Sequence, residues 1–275
     1  MSYGPAPTAV DAWDVLAVRG PLTAAAIGLP GAAATDGAYL ISDAPRLVGP
    51  EQSRTDIVFI PHYRNLLGQP WERACEEAGL TFVSPESSVD EMLDRLARAS
   101  LVVTEAMHGA IVADALRIPW VPVTISPLVD EFKWRDWLSS VELDYAPIPV
   151  PPPDQREVRR YERVKATLRR LGIDGHRHLA YSDPTPQDLT DWLRRRYGPA
   201  VLAEIHRAEV GTLGDRVVAK ALSGRSSSSS FAETVHALQR AARADPVLST
   251  DAVHAARLDQ LRSAVGTMTT SILAG

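Results

Sequence analysis

Leu101-Val-Val-Thr104-Glu105-Ala106-Met107-His108-Gly109-Ala110-Ile111-Val112-Ala113-Asp114-Ala115-Leu116 changes texture once along its length. The apolar run 101–104 is short and β-branched, as a strand buried on both faces would be, whereas the Ala-rich run after Gly109 has the composition of a helix. Trp120-Val-Pro-Val-Thr124 follows as another strand. Strand, polar turn, helix and strand in that order make a βαβ unit, which demands a parallel pairing.

The same alternation extends upstream. Ile57-Val-Phe-Ile60 is an apolar run stopped by Pro61, Trp71 to Ala78 reads as a helix ended by Gly79, and Leu80-Thr-Phe-Val83 reads as a strand. Ser88 to Ala99 reads as a helix, with Glu91 placed three residues after Ser88 in the spacing of a capping box. The expected architecture for 51–146 is therefore a Rossmann-type α/β domain with a parallel sheet, whose ligands bind beyond the carboxyl ends of the strands. Residues 1–50 offer a strand candidate at 14–18, a short helix from Gly20-Pro21 to Gly28 and the run Ala38-Tyr-Leu-Ile41. That is too little apolar material for a core of their own. They are expected to form a partial α/β half.

After the Pro-rich 147–153 the chain is expected to be a helical extension over 147–275, with helices at 154–171, 186–196, 199–222, 231–243 and from about 250. Ser226 to Ser230 reads as a low-complexity linker. The helices place Leu, Val and Ala at helical spacing beneath Arg-rich faces. That pattern suits packing on the rest of the protein, or else peripheral association with a partner or a membrane surface.

Composition narrows the function. The chain has 275 residues, 45% hydrophobic and 23% charged, with a net charge of -5, which is a globular profile without the basic surplus of a nucleic-acid binder. Only Lys133, Lys165 and Lys220 are lysines among 29 basic residues, a bias that fits a GC-rich coding genome as well as it fits phosphate binding. The single cysteine, Cys75, excludes an intrachain disulfide and cysteine-rich metal sites. No apolar run reaches the roughly 18 residues of a membrane-spanning helix, and the first residues do not read as a signal peptide, so a cytoplasmic location is expected. No dinucleotide, P-loop, zincin or nucleophile-elbow motif is present.

The chemistry-bearing residues cluster at strand ends. Pro61-His62-Tyr63-Arg64-Asn65 and Glu105-Ala106-Met107-His108-Gly109 leave the same edge of the sheet. A helix opening near Gly109 would aim free amides at an anion, and His108 beside Glu105 suits general acid or base work. Arg19, at a strand end ahead of a helix start, is either a fork for an anionic ligand or a solvated arginine. Phe132-Lys133-Trp134-Arg135-Asp136-Trp137 reads equally as a sugar-stacking cluster or as two Trp anchoring a helix to the core.

Taken together, Trp13-Asp14-Val-Leu-Ala-Val-Arg19-Gly20-Pro21-Leu22-Thr23-Ala24, Asp36-Gly37-Ala38, Ile60-Pro61-His62, Ala99 through Trp120 and Lys133-Trp134-Arg135-Asp136-Trp137 resemble the polysaccharide pyruvyl transferase family, in particular its exopolysaccharide branch. The resemblance covers about half the chain. It implies a GT-B-like fold with a cleft between two Rossmann-like halves. It also implies transfer of a pyruvyl group from phosphoenolpyruvate to hydroxyls of a polysaccharide or lipid-linked oligosaccharide as a ketal; that scheme needs no cofactor or metal, and the expected place is the cytoplasm or the inner face of the membrane. His108 matches the family's essential histidine, with Glu105 as its catalytic neighbour. Arg19, His62, Arg64, Met107 and Gly109 are the expected donor contacts, and Lys133, Trp134 and Trp137 the expected acceptor contacts.

Two departures stand out. Ala106 occupies the place of the family's motif arginine, so Arg64 or Lys133 is expected to substitute, and the family's opening strand and Asn-x-Gly-Asp loop are absent ahead of Met1, so the first half is expected to be shortened. A non-catalytic sugar-binding subunit and a nucleotide-sugar glycosyltransferase are the alternative readings.

Overall fold

Short runs of β-branched and aromatic residues, each closed by a proline or a polar turn, build the sheet, because such side chains pack well on a pleated surface covered on both faces. A computed structural model describes residues 13–44, 54–66, 69–125, 131–154, 170, 203 and 226–274. In chain order its elements are α1 (Pro21–Ala26), β1 (Asp56–Ile60), α2 (Trp71–Ala78), β2 (Thr81–Phe82), α3 (Val89–Ala97), β3 (Ala99–Thr104), α4 (Met107–Ala115), β4 (Trp120–Thr124), α5 (Glu131–Ser140), β5 (Ile148–Pro149), α6 (Ser226–Ala241) and α7 (Asp251–Ala274). The five strands are all parallel, in the order β2-β1-β3-β4-β5.

The strand–helix alternation of the central region forms as expected, and Ser88 caps α3 by accepting from the amide of Glu91 at 3.2 Å. Helix α4 is enclosed, with Ala110, Ile111, Ala113, Asp114 and Ala115 all buried. Its small residues let the sheet and the 3-10 helix Gly37–Asp43 both approach it. The Asp114 carboxylate is a hub, accepting from the Tyr39 hydroxyl, the Ser249 amide and hydroxyl, and the Trp120 indole. Burial and the neighbouring Asp114 push the Tyr39 phenol above its ordinary range.

Several expectations need correction. Residues 14–18 form no strand: Val18 makes one parallel bridge with Ala33, and the ladder cannot extend because Pro21 opens α1 on one side and Pro30–Ala32 is a 3-10 turn on the other. The serines at 226–230 are not a linker. They form the opening turns of α6, where Ser is well tolerated, and Ser230 is buried. The short strand β5 lies within the stretch expected to be only a boundary.

The chain divides into two compact units, one of Met1–Leu66, Trp71–Pro151 and Thr234–Gly275, the other of Leu67–Pro70 and Pro152–Glu233. The first segment is therefore part of the sheet domain, because Ala34 and Tyr39 belong to the main core. The last segment also returns to it: Val247 forms an antiparallel bridge with Trp120, and Leu261 of α7 joins the same core. Apart from single positions, the helices expected at 154–171, 186–196 and 199–222 lie outside the described residues. No helix among the described residues is long and apolar enough to cross a membrane.

Candidate functional site

In a parallel sheet of order 2-1-3-4-5, the chain leaves β1 and β3 in opposite directions, opening a crevice beyond their carboxyl ends. The two segments at that crevice are Pro61–Asn65, which includes the 3-10 helix Tyr63–Asn65, and Glu105–Ala106, which leads into α4. The Glu105 side chain is buried beside these segments. It is 1% exposed; Oε2 accepts from the His62 amide (3.1 Å) and the Asn65 side-chain amide (2.5 Å), and Oε1 accepts from the Ile125 amide (2.7 Å). These donors offset the cost of burying the carboxylate, and it ties the ends of β1, β3 and β4 together. Glu105 is thus buried against the His62, Asn65 and Ile125 donors and braces the site.

The start of α4 is set by Thr104 and Gly109. Thr104 Oγ1 accepts from the Ala106 amide (3.0 Å) and donates to the Ile60 carbonyl (3.0 Å). A Cβ on Gly109 would stand 2.8 Å from that hydroxyl, so glycine is what lets the first turn lie against β3. The helix begins at Met107, a residue or two ahead of the expected start, and its N-cap, Ala106, offers no side-chain acceptor to the first amides. Ala106 and Met107 are half-buried against the core, while the His108 side chain is 68% exposed.

Asp36 places a carboxylate within ion-pair distance of His108. Its Oδ2 lies 3.9 Å from His108 Nε2 and accepts from Arg19 Nε at 3.0 Å, while its Oδ1 accepts from the Ala38 amide at 3.0 Å as the N-cap of the 3-10 helix. Arg19 therefore meets Asp36 through the edge of its guanidinium and keeps both Nη groups without a partner among the described residues. An arginine held in this way presents a flat pair of donors, the geometry that suits a carboxylate or phosphate.

Arg19 is placed by a contact across the fold. A Cβ on Gly20 would fall 2.0 Å from the Asp136 carbonyl oxygen, so only glycine permits this approach. Asp136 is fully buried, and its carboxylate accepts from the amide (2.9 Å) and hydroxyl of Thr23, capping α1 from another helix. Of the two readings of Lys133-Trp134-Arg135-Asp136-Trp137, the burial supports the one in which two Trp anchor the helix to the core rather than stack a sugar. Trp134 and Trp137 are 2% and 0% exposed and pack with Trp120 and Tyr145, so neither has a free face on which to stack a sugar ring. Lys133 is half-buried on α5.

Two further expected donor residues, His62 and Arg64, stand on the segment that follows β1. The His62 ring lies 4.3 Å from that of Tyr63, and Arg64 sits on the 3-10 helix with its side chain outside the described residues. Sequence reasoning did not assign roles to Asp36, Asp136 or Gly20. A signal existed for Asp36, which precedes Gly37 in the position of a capping residue.

The family described as "Polysaccharide pyruvyl transferase" matches residues 13–127, a span that contains Arg19, Asp36, Glu105 and His108. The chain is similar to the succinoglycan biosynthesis protein ExoV of Rhizobium meliloti (strain 1021), at 31% identity over 264 residues, covering 95% of this chain and 77% of that protein. No solved structure matches.

Proposed function

The chain belongs to the polysaccharide pyruvyl transferase family, and from that premise we propose that it transfers the pyruvyl skeleton of phosphoenolpyruvate to two hydroxyls of a polysaccharide repeat unit, forming a cyclic ketal. The observation that carries this reading is the pairing of an exposed His108 at the opening of α4 with an Arg19 whose Nη groups have no partner among the described residues. The two groups supply what the donor needs, an acid for its methylene carbon and a cation for its anionic groups.

In the proposed reaction, protonated His108 gives its proton to the methylene carbon, leaving an electron-poor carbon that bears the carboxylate and the phosphate ester. One acceptor hydroxyl adds there and returns a proton to the imidazole. The C–O bond to phosphate then breaks, inorganic phosphate leaves with its electron pair, and a second hydroxyl closes the ketal, its proton going to the departing phosphate. Arg19 and the first amides of α4 hold the donor's negative charge while that carbon changes geometry. The scheme calls for no metal or cofactor.

The test is to incubate the protein with phosphoenolpyruvate and lipid-linked or free oligosaccharides, and to measure phosphate release alongside pyruvylated product. Release with ketal formation supports the proposal. Acceptor binding without phosphate release would favour the sugar-binding alternative, and consumption of a nucleotide sugar would favour the glycosyltransferase.

A further inference from the structure

We propose that Asp36 is the positioning residue of this site, holding Arg19 and His108 in one arrangement so that both meet the same anionic donor; the inference rests on the donor proposed above. Asp36 meets both of them. One carboxylate oxygen receives Arg19 Nε, and the same oxygen lies within ion-pair distance of His108 Nε2.

The carboxylate is itself immobilised. Its other oxygen caps the 3-10 helix at Ala38, and that helix is pinned by Tyr39, which is fully buried and bonded to Asp114. The Asp36 side chain is 13% exposed, against 28% for Arg19 and 68% for His108, so the chain of contacts runs from a fixed interior group to two accessible ones. Arginine carries many rotamers in solution. Fixing Nε while leaving the Nη groups open selects the ones that face the donor before it arrives.

A rival account is that Asp36 is only a nearby negative charge. Simple proximity would make it repel an anionic donor, so neutralising it would strengthen binding. Positioning predicts the opposite sign, and the two accounts separate in a double-mutant cycle.

The variants are Asp36→Asn, Arg19→Ala and the pair. Asparagine keeps the capping ability of this position and removes the charge that orients its partners. Binding of phosphoenolpyruvate is measured by calorimetry, with thermal unfolding as a check that each variant is folded. The side-chain resonances of Arg19 Nε–H and the His108 ring are followed by NMR without ligand.

Asp36→Asn is expected to weaken binding about tenfold in the wild-type background, as for loss of one charge-assisted hydrogen bond, and to leave it unchanged or tighter once Arg19 is gone. Both resonances are expected to shift, and the Arg19 Nε–H signal to lose protection from exchange. Equal tightening in both backgrounds, or unmoved resonances in a folded Asp36→Asn protein, overturns the positioning role. If the wild-type chain does not bind phosphoenolpyruvate, the donor assignment fails instead, and the resonances alone decide whether Asp36 organises Arg19 and His108.

Discussion

At the scale of the residue, exposure separates side chains available for chemistry from those that hold the site in shape. His108 stands mostly in solvent and Glu105 is buried among amide donors, so the two are expected to respond oppositely to substitution. His108→Ala should leave the unfolding temperature unchanged while reducing phosphate release by about 100-fold or more, the usual contribution of a general acid, and an unaltered rate would remove it from that role. Glu105→Gln should cost about 1–3 kcal/mol in urea unfolding, because at least one buried donor then faces an N–H instead of an oxygen. Trp137→Ala should cost about 3–5 kcal/mol as a core cavity, a loss that a sugar-stacking surface residue would not show.

At the scale of the element, α1 and α4 depend on close approaches that only glycine allows. Gly109→Ala drives a methyl group into Thr104 Oγ1, whose hydroxyl is committed to Ile60 and Ala106, so the first turn of α4 must lift from β3. A loss of about 1–3 kcal/mol is expected by calorimetry, with weakened donor binding because His108 moves with the turn. Arg117 shows a different compromise. Its φ of 56° is one that glycine would adopt freely, yet its guanidinium donates to the Ser249 carbonyl (2.6 Å), the Ser249 hydroxyl (3.0 Å) and Asp251 (2.8 Å). Arg117→Gly is therefore expected to be less destabilised than Arg117→Ala by about 1 kcal/mol, the backbone relief partly offsetting the lost ties. Both variants should speed hydrogen exchange at the start of α7.

At the scale of the whole molecule, one core serves segments distant in sequence, and its burial is visible in the pH dependence of folding. The Cys75 thiol on α2 is likewise buried, and burial pushes its pKa up to about 12. Its contribution to stability is fully present below the unfolded thiol value of about 8.5 and is lost as pH rises toward about 12. Between pH of about 8 and about 10 the wild-type chain should lose about 2 kcal/mol more than Cys75→Ala in urea unfolding. Equal losses would mean that the thiol is not sealed. Tyr39, raised by burial and by Asp114, adds a further decline that begins above about pH 10.

The alternation of strands and helices over 55–125, the capping of α3 and the gathering of His62, Glu105 and His108 at one sheet edge were legible from the chain alone. Period and punctuation are local properties that neighbouring residues set among themselves. The strand order, the return of α7 to the core, the inward turn of Glu105, the burial of Trp134 and Trp137 and the meeting of Arg19, Asp36 and His108 were decided only in three dimensions. Each of them joins residues far apart in sequence, and which face of a helix or which oxygen of a carboxylate is used depends on what the rest of the fold presses against it. Sequence determined which elements form and which residue types stand at their ends; packing decided which of those residues became braces and which were left facing solvent with donors to offer.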